Sequence, residues 1–247
     1  MPLPPATSRH RFGARSTLLL GALAALAVIA ALALPQRAAP AGEISILGAA
    51  AGSHLRLSMS EGDLLVSGAM DSDATSGCYF GRRSGEALCR LGGVERIELT
   101  MGPGEDHVDV LEPLPVPLTV HLGGGSDKFI GSEEPDACFS EGAMRNRCIG
   151  NGGDDLCVTG QQNSDCVGGE GDDVCVHGAG SDGCWGGPGD DICSMGPGED
   201  GCHGGPGNDR LYGDPAADQL YGGPGSDYCD GGPGRGYSRG CESGPGG

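Results

Sequence analysis

Five aspartates recur every 18 residues in one stretch of the chain: Asp155, Asp173, Asp191, Asp209 and Asp227. Asp182, Asp200 and Asp218 keep the same interval half a period out of step, with Ser164 before them and Gly236 after. Carboxylates at a fixed interval either work as an acid and base or hold cations. The acid–base reading lacks partners. His54, His107, His121, His177 and His203 form no H-E-x-x-H, and His177 and His203 are expected at turn and strand-end surface sites. The G-x-S-x-G at 236–240 has no histidine after it, whereas a nucleophile elbow needs a strand before, a helix after, and acid and histidine partners downstream. No catalytic residue is assigned, and the chain is read as non-enzymatic. Cation binding is the chemistry left, with calcium preferred. Calcium takes six to eight oxygens from carboxylates and carbonyls, while magnesium wants strict octahedral geometry and keeps its water.

The elements that must position these aspartates are nine residues long. Residues 150–239 divide without gaps into ten units: GNGGDDLCV, TGQQNSDCV, GGEGDDVCV, HGAGSDGCW, GGPGDDICS, MGPGEDGCH, GGPGNDRLY, GDPAADQLY, GGPGSDYCD and GGPGRGYSR. Glycine accepts positive φ and close backbone approach, so the first six residues suit a tight turn. The last three suit a short strand with one side chain inward and its neighbours outward. One unit cannot bury that side chain alone, but stacked units can.

The pattern resembles the RTX nonapeptide G-G-x-G-x-D-x-U-x, where U is a large apolar residue. The resemblance implies an all-β fold, a right-handed parallel β-roll in which each unit forms half a coil and coils stack about 4.8 Å apart. It also implies calcium between neighbouring turns of one edge. The units starting at 150, 168, 186, 204 and 222 keep every aspartate, so their edge (the first) offers about four intervals. The second edge has two, 182/200 and 200/218, expected to bind weakly. The plain alternative is that these aspartates only make Asx-turns. Against it, a column of carboxylates at that spacing repels itself without cations.

The period loosens upstream. MGPGEDHVD (101–109) and LGGGSDKFI (122–130) still fit and add Asp106 and Asp127 to the metal candidates. GEISIL, HLRLSM, DLLVSG, VERIELTM and LTVHL have strand character. Residues 42–149 are read as longer, less regular coils, 150–239 as the regular roll, and 240–247 as a tail. Residues 1–41 read as a secretory signal: three arginines, the apolar run 18–34, and Ala39-Pro40-Ala41 as a cleavage site. The alternative is an uncleaved anchor. Cleavage would remove four arginines and no acid, taking the formal charge from −19 to −23. Without that segment no stable membrane insertion is expected.

Composition agrees with a solenoid. Glycine is 50 of 247 residues and aromatics are 4%, too few large side chains for an ordinary core. The acidic excess repels phosphate and argues against a nucleic-acid partner. Twelve cysteines point to an oxidising compartment, outside the cell, at its surface or in the periplasm.

The cysteines depart from the resemblance. The inward position is Cys157, Cys166, Cys175, Cys184, Cys193 and Cys202, then Leu211 and Leu220, then Cys229, with Cys148 nine residues before Cys157. Cysteine as a small apolar residue and zinc binding are open alternatives, although zinc-module CxxC pairs are absent. Disulfides are the leading account. Cysteine is lost at 211 and 220 together, the two halves of one coil, which favours pairs within a coil: 157–166, 175–184 and 193–202. Cys78–Cys89, Cys138–Cys148 and Cys229–Cys241 would pair locally. The rival is pairing between coils, such as 157–175. Trp185, at the ninth place, is either an exposed platform or a packing residue.

The reading is an exported calcium-binding β-roll of structural or adhesive role, with calcium and an unidentified surface or matrix partner. The alternatives are the calcium-binding module of a secreted hydrolase or toxin, and an acidic disulfide-stapled surface protein without specific metal.

Overall fold

A computed structural model describes residues 43–48, 52–70, 78–80, 85–142 and 144–244. The expected secretory signal, 1–41, lies outside the described residues. Among those residues there are 21 short strands and no helix. Numbered in chain order, nine form one sheet: β1 (Glu43–Leu47), β6 (Arg96–Thr100), β8 (Leu118–His121), β10 (Asp136–Phe139), β12 (Leu156–Val158), β14 (Val174–Val176), β16 (Ile192–Ser194), β18 (Arg210–Tyr212) and β20 (Tyr228–Asp230). The facing sheet holds β2 (His54–Ser60), β7 (His107–Val110), β9 (Lys128–Ile130), β11 (Arg147–Gly152), β13 (Asp165–Glu170), β15 (Gly183–Trp185), β17 (Gly201–His203), β19 (Gln219–Tyr221) and β21 (Tyr237–Arg239). The chain alternates between the sheets, and every neighbour pair among these strands is parallel and one coil apart. This is a parallel β-solenoid.

The register follows the nonapeptide. Val174, Cys175 and Val176 pair with Ile192, Cys193 and Ser194, 18 residues on. In each triplet the middle residue is buried and its neighbours are not. Two glycines make the corner. Gly187 and Gly189 have φ of 121° and 148°, and a Cβ on either would overlap the carbonyl of Gly169 or Gly171 in the preceding coil. The first unit has Asn151 in place of the second glycine. Its φ is 83°, which asparagine tolerates, and its Nδ2 donates to Gly131 O at 2.8 Å.

Three strands between Asp63 and Cys89 depart from a coil. β3 (Asp63–Ser67) turns back on β2, and β5 (Glu86–Cys89) and β4 (Cys78–Phe80) continue antiparallel. Expected as another loose coil, the stretch instead widens one sheet by three antiparallel strands in the order β3-β5-β4, with β5 between the two that precede it in the chain. Glu61 and Gly62, both at positive φ, reverse the chain between two alternating strands, a turn too short for a crossover.

The core changes along the axis. Ile44, Ile46, Leu55, Leu57, Ile97, Leu99, Val120 and Phe129 fill it first, and from Cys138 onward it is mostly cysteine. Across the cysteine section Cα atoms of bonded residues are 6.2 to 6.6 Å apart, well under the roughly 10 Å of ordinary stacked sheets. The disulfides are Cys78–Cys89, Cys138–Cys148, Cys166–Cys175, Cys184–Cys193 and Cys229–Cys241. Cys157 and Cys202 are free and buried. The expected pairs 157–166, 175–184 and 193–202 are therefore corrected: the column is paired one half-coil later. Each inward thiol lies between one opposite neighbour nine residues before it and another nine after. The sulfurs of Cys175, Cys184 and Cys193 all lie within 4.8 Å of one another, so spacing alone cannot choose the phase. Bonds between successive coils of one sheet do not occur.

Candidate calcium-binding columns

The sixth residue of each repeat ends the glycine corner and starts the strand. On the first edge this places Asp136, Asp155, Asp173, Asp191, Asp209 and Asp227 one above another. Each N–H donates to Oδ1 of the aspartate one coil on: Asp136 to Asp155, Asp155 to Asp173 and Asp173 to Asp191 at 2.8 Å, Asp191 to Asp209 and Asp209 to Asp227 at 2.9 Å. The second edge runs Asp106, Asp127, Asn146, Ser164, Asp182, Asp200, Asp218. Asp106 donates to Asp127 at 2.8 Å, Asp127 to Asn146 Oδ1 at 2.7 Å, Asp182 to Asp200 at 2.7 Å and Asp200 to Asp218 at 3.0 Å. Asn146 and Ser164 interrupt this edge with uncharged groups.

One carboxylate oxygen is thus engaged and the other is not. The Oδ2 atoms of Asp106, Asp127, Asp155, Asp173, Asp182, Asp191, Asp200, Asp209, Asp218 and Asp227 are buried with no hydrogen-bond partner. These are the ten aspartates singled out by the repeat. Asp136 differs: its Oδ2 accepts from Ser132 N–H at 2.7 Å and Ser132 Oγ at 3.1 Å. Among the described residues no arginine, lysine or histidine pairs with a column aspartate.

Glycine makes room for the unbonded oxygens. A Cβ on Gly150, Gly168, Gly186, Gly204 or Gly222 would run into Oδ2 of its own repeat's aspartate. At Gly150, Gly186 and Gly222 the carbonyl of the glycine one coil on reaches the same point. Two acceptors converge there, and no donor lies between them. On the second edge the corresponding places hold Thr159, His177 and Met195, all buried, and then Gly213, where a Cβ would again meet Oδ2 of Asp218. His177 is therefore corrected from a surface residue to an interior one. Its Nδ1 meets Thr159 Oγ1 at 2.8 Å, Nε2 has no partner, and burial lowers its pKa to about 4.

Burial without a counter-charge pushes the carboxyl groups up. Asp155 rises to about 8, chiefly by burial, with the Asp136 N–H bond opposing and Asp173 and Asp136 adding repulsion. Asp191 and Asp200 rise to about 7. Asp127, Asp173, Asp182 and Asp209 rise to about 6, and Asp106 and Asp218 are also raised, burial being the largest cause in each. The donor set is all oxygen, partly anionic and short of donors. It fits a hard divalent cation such as calcium and does not fit a soft one.

Sequence reasoning missed Asp136 and Asn146. Residues 131–139, GSEEPDACF, keep only the glycine at place one, the aspartate at six and the cysteine at eight, and ten residues instead of nine separate Cys138 from Cys148. The aspartate–cysteine spacing was the usable signal. Trp185 resolves as an outward packing residue, 43% exposed and parallel to His203 at 6.3 Å, with His203 in turn stacked on Tyr221 at 4.6 Å.

Fold and columns together define a parallel β-solenoid with stacked carboxylates at its corners. Four copies of the RTX calcium-binding nonapeptide repeat match the chain, over residues 167–184 and 203–237. This stretch is an RTX repeat region in a cysteine-rich form, and RTX nonapeptide repeats bind calcium. No curated protein and no solved structure matches the chain.

Proposed function

We propose that this protein is an exported, non-enzymatic calcium-binding solenoid whose ions sit between successive aspartates of the two columns. The observation that carries this reading is the set of ten buried carboxylate oxygens with no partner. Asp155, Asp173, Asp191, Asp209 and Asp227 bound about four intervals on the first edge. Asp182, Asp200 and Asp218 bound two on the second, and Asp106 and Asp127 bound one more. The glycine-turn carbonyls complete the donor sets. Asn146 and Ser164 leave the second edge weaker.

Calcium supplies the positive charge that the columns lack. The chain's own residues do the rest: the glycine corners hold the carbonyls, the N–H ladder fixes Oδ1, and the unbonded Oδ2 is left for the ion. Each site adds to stability by mass action, about 2.7 kcal/mol at a hundredfold excess over Kd. Five disulfides fit an oxidising compartment and hold the coils when calcium is scarce. A structural or adhesive role at a cell surface or in a matrix suits an acidic, disulfide-bonded solenoid with no assigned catalytic group. Equilibrium dialysis against calcium, with metal analysis and circular dichroism, tests the reading: several ions per chain and a gain in β-structure are expected. A chain that retains no stoichiometric calcium overturns it.

A further inference from the structure

Asp227 is fully buried, its Oδ2 has no partner, and the stretch one coil on, GCESGPGG from Gly240, carries Pro245 instead of an aspartate at the sixth place. Residues 240–243 nevertheless reproduce what the next coil would provide. Gly240 stands 18 residues after Gly222, and its carbonyl meets the point beside Gly222 that Asp227 Oδ2 also reaches, as Gly204 O does beside Gly186. The path then changes. Cys241 is bonded to Cys229. Glu242 N–H and Ser243 N–H both donate to Asp227 O, at 3.0 and 3.1 Å, where an interior coil offers a strand N–H such as that of Tyr228 to Asp209 O. Cys229 N–H donates to Ser243 O at 3.0 Å. Glu242 Oε2 accepts from Asp227 N–H at 2.7 Å, the bond that Asp227 Oδ1 makes to Asp209.

We propose that Glu242 is a calcium ligand, and that segment 240–243, clipped by Cys229–Cys241, closes one further calcium site on Asp227. Glutamate arrives three residues earlier in its repeat than an aspartate would, and its extra methylene spans the difference. Two oxygens converge as in the interior, the unbonded Asp227 Oδ2 and the Gly240 carbonyl, and the Glu242 carboxylate, held beside them by the Asp227 N–H, would supply the next ligand. The unpartnered, fully buried Asp227 oxygen separates this from a mere capping contact, since a cap leaves that atom unsatisfied. The disulfide clips the segment to the coil in addition to the main chain, so reducing it loosens the ligand and weakens this site before the others. The inference rests on the columns binding calcium.

The test is calcium stoichiometry and affinity on the full chain by calorimetry, for the unaltered protein, Glu242→Gln and the double variant Cys229→Ser/Cys241→Ser. Glutamine still accepts the Asp227 N–H, so a capping role would survive that change. The expected result is one ion fewer, or one site weakened tenfold or more, in Glu242→Gln, with unchanged circular dichroism. The double variant should weaken the same site and leave the remaining count intact. If the unaltered chain binds several ions and Glu242→Gln matches it in number and affinity, the Glu242 assignment is wrong while the columns stand. If the unaltered chain binds none, both readings fall.

Discussion

Asp191 shows how one side chain carries two opposed demands. Its Oδ1 is bonded to Asp173 N–H and its Oδ2 faces glycine and a carbonyl oxygen without a donor. Replacing it by asparagine keeps the first bond, removes the buried charge and offers an amide to Gly204 O. Without calcium at pH 8, Asp191→Asn should therefore stabilise the chain by roughly 1–3 kcal/mol, the scale of an unsatisfied buried group. With calcium it should lose affinity in the two intervals that Asp191 bounds. Thermal melts with and without chelator read both signs, and destabilisation in both conditions would refute the account. Ala216 presents a backbone case. It takes the place of the repeat's fourth residue, usually glycine, at φ 125°, a region that costs a side chain about 1–3 kcal/mol. Ala216→Gly should raise the melting midpoint, and a lowered one would show that the methyl packs better than the strain hurts. The aspartates were legible because each residue between them has a fixed job. His177 was not, because whether place one of a repeat turns inward shows only when both edges are built. Glu242 escaped because it does an aspartate's work from a different place in the unit.

The strand triplets were readable from sequence, since one inward residue between two outward ones is the least that a half-coil can bury. The antiparallel extension by β3, β5 and β4 was not, because DLLVS alternates in the same way whichever neighbour it pairs with. The cysteine column was readable as a column and misread in phase. Loss of cysteine at 211 and 220 pointed to pairing inside one coil, yet a thiol such as Cys184 has two reachable partners across a thin core, and the bonds fall at 166–175 and 184–193. Burial pushes the thiols of Cys157 and Cys202 up, so they should resist alkylation in the native chain and be the two sites labelled after denaturation without reductant. A stronger test removes a partner. Cys175→Ser frees Cys166 opposite Cys157, and peptide mapping of the oxidised variant should find a 157–166 link. A persistent free pair at 157 and 166 would mean that the column is not interchangeable in phase.

At the scale of the molecule, eleven of the 34 acids behind the formal charge of −19 lie buried in the columns, where the fold needs compactness. The repeat made the solenoid and its two edges legible, but the depth to which the carboxylates are buried depends on coils closing over one another and could not be seen in a linear pattern. That depth sets the response to pH. A carboxyl group whose pKa is raised in the folded state holds a proton that the unfolded chain releases near pH 4. The stability this contributes is full below that value and is lost as pH rises through the folded values, about 6 for Asp173 and Asp209, about 7 for Asp191 and Asp200, and about 8 for Asp155. With chelator present, the melting midpoint should therefore fall between pH 5 and pH 8.5. Calcium reverses the sign, because only the ionised carboxylates bind it, so its stabilising effect should grow across the same window. Midpoints measured at both pH values, in chelator and in excess calcium, should lie close together at pH 5 and diverge by pH 8.5. A chelated chain that becomes more stable toward pH 8.5 would show that its buried aspartates are compensated by something other than a cation.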